Sequence, residues 1–319
     1  MMTLFIFFLW FIITSIIMSF SASSLFFLWI CLEINMMSFI PLMFSKNLIS
    51  MNSIMMYFLV QSTASSIYIF SITTSFINYL SIPYMNIFMM MSMLIKLGAA
   101  PFHIWFPQVS EGLTLNSLLI LLTIQKMIPL YILSIFKSNF ILLPIIFSSI
   151  IGSFGGFNQF SIRKILAFSS ISHLAWILTL QLSNSNFWMI YLMIYSMIIF
   201  FFIFIMNAYS MHFHNFSKKN TLKMNFFLII TLLSLGGMPP TIGFIMKWMT
   251  LQIIINSMLI ITIPLILSSL INLFFYLRLS YTTLLKFSNL YKWEKSFSIK
   301  LIMVVIMQLL LIFTFISMM

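Results

Sequence analysis

The chain alternates long runs of apolar residues with short polar segments, and most runs reach 18 residues or more. A helix needs roughly 20 apolar residues to cross the hydrocarbon core of a bilayer, so runs of this length are candidate transmembrane helices. We predict an all-α integral membrane protein, with residues 1–319 as a single transmembrane domain. Its spans, about eleven, lie near residues 3–20, 25–43, 54–77, 86–106, 115–136, 139–156, 165–182, 187–207, 225–254, 258–279 and 300–318.

Composition supports a membrane protein and excludes other classes. Hydrophobic residues make up 62% of the chain and charged residues 6%, with a mean hydropathy of +1.16. The net charge of +12 does not indicate nucleic-acid binding, because the basic residues separate apolar runs and form no cluster on a soluble domain. The single cysteine, Cys31, excludes a disulfide within the chain. The abundance of Phe and Met is typical of AT-rich codons and a mitochondrial genetic code.

The distribution of Lys and Arg predicts how the spans are oriented. Connections after even-numbered spans carry most of the basic residues, which are enriched in loops on the inner side of a membrane. We therefore expect the N-terminus on the inner side and the C-terminus on the outer side. The two longest connections, residues 210–223 and 281–300, are basic and lie on the predicted inner side. We interpret them as a solvated rim that contacts anionic lipid, in preference to a specific binding site.

Four ionisable residues interrupt runs that are otherwise long enough to span a bilayer: Glu33, Lys96, Lys126 and Lys247. A charge near the middle of a membrane costs roughly 2.5 to 3.5 kcal/mol even on insertion scales, and such residues usually mark a path for ions or protons. One alternative is a static ion pair between Glu33 and one lysine, but it leaves two lysines without a partner. We favour a proton relay.

Glycine and proline interrupt two of the predicted spans, the fourth and the ninth. These breaks lie five spans apart, which indicates a duplicated unit of five spans. Because five is an odd number, the two copies must cross the membrane in opposite orientations, which is the inverted-repeat plan of ion-coupled transporters. The predicted halves are residues 1–137 and 138–280, followed by an inner-side connection and a final helix over 281–319. The alternative is that these residues only kink continuous helices. The helix-breaking residues are Gly98, Pro101, Gly236, Gly237, Pro239 and Pro240.

Two histidines are further candidates for the relay. His103 follows the first break, and His173 is central to the seventh span. Imidazole can pass protons near neutral pH, but a single buried histidine is as often only hydrogen-bonded. The sequence contains no phosphate-binding glycine loop, no cysteine cluster and no quartet of metal ligands. We therefore expect neither a metal site nor a bound cofactor in this chain.

Six segments, in order along nearly the whole chain, carry a resemblance to a known family. The segments are Leu32–Asn35, Lys96–Pro107, Gly155–Lys164, Ala167–His173, Gly236–Pro240 and Gly243–Trp248. They closely resemble the NADH dehydrogenase subunit 2 family, the mitochondrially encoded core membrane-arm subunits of respiratory complex I, and look most like the arthropod form. Two departures are Ser172, where the family usually has Asn, and Phe160, where it usually has Thr.

The resemblance implies specific roles for the buried ionisable residues. Glu33 and Lys96 match the family's carboxylate and its paired lysine on the first broken helix, Lys126 its connecting lysine, and Lys247 the lysine on the second broken helix. The two histidines match positions along the same polar axis. The implied function is proton translocation in NADH:ubiquinone oxidoreductase, by an antiporter-like subunit that converts redox energy into charge displacement. The alternatives are a subunit of a cation/proton antiporter and a purely structural membrane-arm subunit.

The resemblance also implies a location and a set of partners. It places the chain in the mitochondrial inner membrane, with the N-terminus in the matrix and the C-terminus in the intermembrane space. Other membrane-arm and accessory subunits of complex I would be its protein partners, and the basic inner-side loops would contact phospholipids, including cardiolipin. FMN, iron-sulfur clusters and ubiquinone would be bound by other subunits.

Overall fold

The computed structural model describes residues 2–76, 82–136, 138–208, 222–239 and 241–285, and the regular structure in these ranges is entirely helical. The predicted final span and most of the two long basic connections lie outside the described residues. The α-helices of the described ranges are α1 (Met2–Ser21), α2 (Leu25–Met43), α3 (Leu48–Phe76), α4 (Ile82–Leu97), α5 (Trp105–Gly112), α6 (Leu115–Leu122), α7 (Met127–Ile135), α8 (Leu142–Phe157), α9 (Ile162–Leu182), α10 (Phe187–Ala208), α11 (Leu222–Gly236), α12 (Ile242–Ser257) and α13 (Leu259–Leu285).

Many of these helices are long and apolar enough to cross a membrane. In the described ranges there are six such helical segments: Leu25–Met43, Leu48–Ser75, Leu115–Ile135, Ile162–Leu182, Phe187–Asn207 and Leu259–Tyr281. Shorter apolar helices accompany them at Phe5–Ser21, Met85–Leu97, Leu142–Phe157, Phe227–Gly236 and Ile242–Ile255. The prediction of an all-helical, multi-pass membrane protein is confirmed for the described part of the chain.

Helix α9 lies at the centre of the bundle. Of the 18 most apolar consecutive residues of this helix, 89% are buried, which is the highest share among the candidate membrane spans of the described ranges. It contacts α5, α6, α8, α10, α12 and α13. Because lipid does not reach this helix, its Ser, Thr and His side chains must find partners within the protein.

Helix α4 ends inside the bundle at a glycine. Gly98 has φ 67°, its N–H donates to the Ile95 carbonyl at 3.1 Å, and the Ala99 N–H donates to the Leu94 carbonyl at 3.1 Å. These two bonds form a Schellman motif, which ends helices and satisfies carbonyls of the last turn. A turn that contains Pro101 then leads to α5.

Helix α11 ends with the same arrangement. Gly237 has φ 81°, its N–H lies 3.2 Å from the Ser234 carbonyl, and the Met238 N–H donates to the Leu233 carbonyl at 3.1 Å. Pro239 lies in the turn that follows, and Pro240 is outside the described residues. The positive φ explains why glycine occupies this position, since a Cβ atom disfavours it.

Replacing Gly98 by alanine should destabilise the assembled protein. The left-handed backbone costs an L-residue roughly 1–2 kcal/mol, and a Cβ atom here would lie 2.9 Å from Cδ2 of Phe106. We expect faster thermal inactivation of the purified assembly. Gly236→Ala is the matched control, because its Cβ would lie 3.5 Å from the nearest atom, the Cα of Leu273. Equal inactivation rates for the two variants would contradict the prediction.

The segment that carries Lys126 is interrupted, which the sequence pattern did not predict. A single helix was expected over residues 115–136, but α6 and α7 are separated by a 3-10 turn at Ile124–Lys126. Pro129 explains the interruption, because it lacks an N–H group and its ring clashes with the carbonyl four residues earlier, that of Gln125. Lys126 therefore lies at a break in regular structure within the bundle.

Candidate functional site

Lys96 and Lys126 face the same small cavity. Their side chains are 6% and 2% exposed, and both line an internal cavity of about 20 Å³. A polar cavity of roughly 10–15 Å³ or more can hold a water molecule. The other polar residues of its lining are Asn35, Tyr57, Gln61 and Gln125.

Hydrogen bonds join these polar residues to one another. The Gln125 side chain donates from Nε2 to Oδ1 of Asn35 at 3.0 Å and accepts from the Tyr57 hydroxyl at 3.3 Å. The Gln61 amide donates to the Lys96 carbonyl at 3.2 Å, one of the carbonyls left open where α4 ends. The cavity thus has a fixed polar wall between the two lysines.

Glu33 lies on a different face of α2 from the residues that line the cavity. Its side chain is partly exposed and borders a hollow of about 330 Å³ with Phe8 and Phe11. Its buried Oε1 atom has no hydrogen-bond partner in the described part of the chain. The carboxylate is nevertheless close enough to Lys96 to interact with it electrostatically.

The expected direct ion pair between Glu33 and Lys96 is not formed. Lys164 forms an ion pair with Glu111 at 2.7 Å, whereas no ion pair at 4.0 Å or closer joins Glu33 to Lys96, both of which lie in the described ranges. The physical reason is the rotation of α2, which directs Leu32, Asn35 and Met36 towards the cavity and Glu33 towards the hollow. Contact between the carboxylate and the lysine would require a side-chain rearrangement or a bridging water.

Lys126 connects the cavity to the central helix. Its Nζ atom donates to the Ser170 carbonyl of α9 at 3.3 Å. It also lies 5.3 Å from the ring centroid of Phe106 and 5.6 Å from that of Tyr195, within the range of cation–π contacts. Helix α5 supplies one of these rings and α10 the other, so the ammonium group is held from three sides.

His173 lies between Lys126 and Lys247. The imidazole is 1% exposed and interacts electrostatically with both lysines. Its Nδ1 atom lies 2.8 Å from the Tyr191 hydroxyl, and its ring centroid lies 4.8 Å from that of Tyr195. The backbone of Leu235, near the end of α11, also interacts with the imidazole, although Nε2 has no hydrogen-bond partner within 3.5 Å among the described residues.

Lys247 binds the end of α11. The side chain is 6% exposed, and its Nζ atom donates to the Gly236 carbonyl at 2.8 Å. The last carbonyls of a helix carry partial negative charge, which favours a cation at this position. Gly237 makes the approach possible, because a Cβ atom there would lie 3.0 Å from Nζ and from Cδ of Lys247.

Two of the residues predicted for the relay, His103 and Glu33, lie outside the group of buried lysines and His173. His103 is in the turn between α4 and α5, where its Nδ1 atom lies 3.1 Å from the Pro101 carbonyl in a partly exposed setting. It does not line the cavity that Lys96 and Lys126 share. Glu33 borders the hollow beside Phe8 and Phe11. Of the other predicted residues, Lys96 and Lys126 share a cavity, and His173 interacts electrostatically with Lys126 and Lys247.

Sequence reasoning missed several polar residues of the site. Asn35, Tyr57 and Gln125 line the cavity, and Tyr191 and Tyr195 surround His173. Gln125 directly precedes Lys126 in the sequence, and this adjacency was a usable signal for its position in the cavity lining. The tyrosines carried none, because tyrosine is common on the lipid-facing side of membrane helices as well.

Buried ionisable side chains along a polar interior, on helices that end inside the bundle, are features of membrane proteins that move ions or protons. Residues 22–272 match the family described as "NADH:quinone oxidoreductase/Mrp antiporter, TM". The chain therefore belongs to the NADH:quinone oxidoreductase/Mrp antiporter family, and within it to the group of NADH-ubiquinone oxidoreductase chain 2. The resemblance that the sequence motifs predicted is confirmed.

Curated relatives from arthropods and mammals carry that group name, and two of them illustrate the similarity. The chain is similar to NADH-ubiquinone oxidoreductase chain 2 of Rhipicephalus sanguineus, with 42% identity over 319 residues, covering 96% of this chain and 99% of the relative. It is also similar to the protein of the same name from Anopheles gambiae, with 44% identity over 268 residues, covering 80% of this chain and 78% of the relative.

Solved structures share the fold, among them chains of two membrane complexes. A chain of respiratory complex I from Thermus thermophilus superposes with a TM-score of 0.76 at 18% identity, covering 87% of this chain and 70% of that one. A chain of the Mrp complex from Dietzia sp. superposes with a TM-score of 0.74 at 14% identity, covering 91% and 61%. At these identities the likeness establishes the fold.

Proposed function

We propose that this chain is a proton-translocating membrane-arm subunit of NADH:ubiquinone oxidoreductase, and that it couples redox energy to proton transfer along its buried ionisable residues. The relatives named as chain 2 of that enzyme support the assignment, since one of them aligns over 319 residues at 42% identity. The observation that carries the proposal is the arrangement of the buried ionisable groups, in which Lys96 and Lys126 share a cavity and His173 interacts electrostatically with both Lys126 and Lys247.

Each of these buried lysines, and His173, can hold or pass a proton. A lysine removed from water favours its neutral form unless a partner stabilises the charge, so a small local change can shift a proton between neighbours. The cavity between Lys96 and Lys126 is large enough for a water molecule to bridge them. Beyond Lys126, the imidazole of His173, which interacts electrostatically with both Lys126 and Lys247, can accept a proton and release one towards Lys247.

Glu33 is assigned to the start of the relay. Its carboxylate interacts electrostatically with Lys96 and faces a hollow between α1 and α2. A change in its charge would alter the energy of the ammonium form of Lys96 without direct contact. His103 would take part in the relay only after a rearrangement of the turn between α4 and α5 that brings its imidazole to the cavity shared by Lys96 and Lys126.

We also propose the number of transmembrane helices and their arrangement as an inverted repeat. The complete chain would have about eleven transmembrane helices, as two five-helix halves in inverted orientation and a C-terminal helix. Helices α4 and α5 would form the first broken span, and α11 and α12 the second. The identical glycine caps at the ends of α4 and α11 support this pairing.

The chemistry of NADH oxidation is assigned to other subunits. In this proposal FMN, the iron-sulfur clusters and ubiquinone are bound by them, and this chain contains no redox centre and no metal. The other membrane-arm and accessory subunits are its partners, with phospholipids, including cardiolipin, at the basic inner-side loops. Its location would be the mitochondrial inner membrane, with the N-terminus in the matrix and the C-terminus in the intermembrane space.

The test uses the native assembly in sealed vesicles. Recovery of the chain in an NADH-oxidising complex supports the proposal, whereas recovery in a small assembly without NADH oxidation supports a cation/proton antiporter. The combined variant Glu33→Gln, Lys96→Met, Lys126→Met and Lys247→Met should then lower the number of protons translocated per NADH oxidised. If the complex assembles and this ratio equals that of the parent, the charges serve packing only and the relay is wrong.

A further inference from the structure

The sequence at the end of α11 leaves two neighbouring carbonyl groups without a helical partner. In an α-helix each carbonyl accepts from the N–H four residues later, so the carbonyls of Leu235 and Gly236 would need the N–H groups of residues 239 and 240. Both of those residues are proline, which has no N–H. Because lipid cannot supply donors either, these two carbonyls need partners from side chains of the bundle.

Lys247 and His173 lie at these two carbonyls. The Nζ atom of Lys247 donates to the Gly236 carbonyl at 2.8 Å. The backbone of Leu235 interacts with the imidazole of His173. In a helix the N–H of Leu235 bonds to the carbonyl four residues earlier, so its own carbonyl is the backbone group available to the ring. Two side chains that can carry a proton thus meet consecutive carbonyls of one helix end.

The end of α4 is bound by donors of a different chemistry. The Lys96 carbonyl accepts from the Gln61 amide at 3.2 Å, and the Ile95 carbonyl accepts from the indole N–H of Trp105 at 3.2 Å. Amide and indole donors remain neutral near neutral pH. The two helix ends share the same glycine cap, so neutral donors are sufficient for such an end. The titratable donors at α11 therefore point to a role beyond capping.

Tyr191 sets which nitrogen of the His173 ring carries the hydrogen. Its hydroxyl lies 2.8 Å from Nδ1. A carbonyl can only accept, so the ring nitrogen that faces Leu235 must carry hydrogen. Since the Tyr191 hydroxyl occupies Nδ1, that nitrogen is Nε2. The other nitrogen of a neutral imidazole is an acceptor, so Tyr191 is the donor in its bond to Nδ1.

We propose that Tyr191 is a positioning residue of the relay: its O–H donates to Nδ1 of His173 and keeps the ring hydrogen on Nε2, on the side of Leu235 and Lys247. This inference rests on the proposed function. Tyr191 is 2% exposed, so lipid does not compete for its hydroxyl. The neighbouring Tyr195 has another part, because it packs its ring against the imidazole with 4.8 Å between centroids.

The first measurement is the infrared spectrum of His173 in the native assembly, prepared with isotope-labelled histidine. The ring-stretching band of imidazole differs in frequency between the two tautomers, and subtracting the spectrum of His173→Gln isolates this residue. We expect the band of the Nε2–H tautomer in the parent and the bands of both tautomers in Tyr191→Phe. If His173→Gln does not assemble, His173→Asn takes its place. An Nδ1–H band in the parent, or the same band in Tyr191→Phe as in the parent, overturns the proposal.

The second measurement is the number of protons translocated per NADH oxidised in sealed vesicles. Tyr191→Phe keeps the ring and removes the hydroxyl, so we expect assembly to be retained and the ratio to fall. Tyr68→Phe is the matched control, because Tyr68 is 0% exposed and donates to the Leu25 carbonyl at 3.3 Å, away from the relay. Its ratio should equal that of the parent. A parental ratio in Tyr191→Phe, or an equal loss in both variants, overturns the positioning role.

A parallel Lys126→Met assembly separates the two proposals. If Lys126→Met lowers proton translocation but Tyr191→Phe does not, the role of Tyr191 is wrong and the proposed function stands. If Lys126→Met has no effect, the proposed function fails and this inference fails with it.

Discussion

Replacing Lys126 by methionine should remove this chain's contribution to NADH-driven proton translocation while the complex still assembles. Methionine has a similar length and can occupy the site between Phe106 and Tyr195, but it can neither hold nor donate a proton. A positioned acid–base group typically contributes roughly 100-fold or more to the rate of a proton transfer. The measurement is the ratio of protons taken up to NADH oxidised in sealed vesicles, with assembly checked by co-purification.

Lys164→Met is the matched control for this variant. Lys164 is also a lysine, but it lies on the surface and pairs with Glu111 at 2.7 Å, with both side chains partly exposed. Exposed ion pairs contribute about 0.2–1 kcal/mol, so assembly and proton translocation should stay close to those of the parent. A parental proton ratio in assembled Lys126→Met, or an equal loss in both variants, would argue against a specific role for the buried lysine.

Replacing Lys247 by arginine should stop proton transfer at the end of the relay while keeping the positive charge. The guanidinium can still donate to the Gly236 carbonyl, which Lys247 contacts at 2.8 Å, but it does not release its proton in proteins. The variant therefore separates a relay that conducts protons from one that only transmits an electrostatic signal. The readout is again the number of protons translocated per NADH oxidised.

Lys247→Met provides the comparison for the arginine variant. If protons are conducted, both variants should lose proton translocation to a similar extent. If only charge matters, Lys247→Arg should retain it and Lys247→Met should not, and conduction through this position would be disproved. Gly237 packs closely against the side chain of Lys247, so a larger side chain at position 247 could disturb packing there. Recovery of the assembled complex must therefore be measured for each variant.

The membrane fold was largely predictable because hydropathy is a local property. The apolar run at 25–43 coincides with α2, and those at 165–182 and 187–207 lie within three residues of the ends of α9 and α10. The ends of α4 and α11 were also visible, since glycine and proline act on the backbone within a few residues. The break before α7 was missed because the run at 115–136 is long enough to span a bilayer as one helix, and its single proline, Pro129, has no glycine beside it.

The ionised residues of the site were predictable, but their neighbours were not. Lys126 and Lys247 are conspicuous because a charge in an apolar run is costly and needs a reason. The position of Glu33 away from the shared cavity depends on how α2 is rotated, and the few polar residues of this helix do not mark a single face from which its rotation could be predicted. For the same reason Tyr57 and Tyr195 could not be distinguished from lipid-facing tyrosines before the helices were packed.

The contact between Lys247 and the end of α11 couples proton transfer to hydration. A carbonyl at a helix terminus deep in a membrane cannot remain without a donor, because no lipid group can replace one. If the lysine swings away from Gly236 to pass its proton on, a water molecule must take its place at the carbonyl, and it must leave again when the lysine returns. The supply of water to this one backbone atom would then set the pace of the lysine's movement, and drying the site would arrest the relay without any change in its charges.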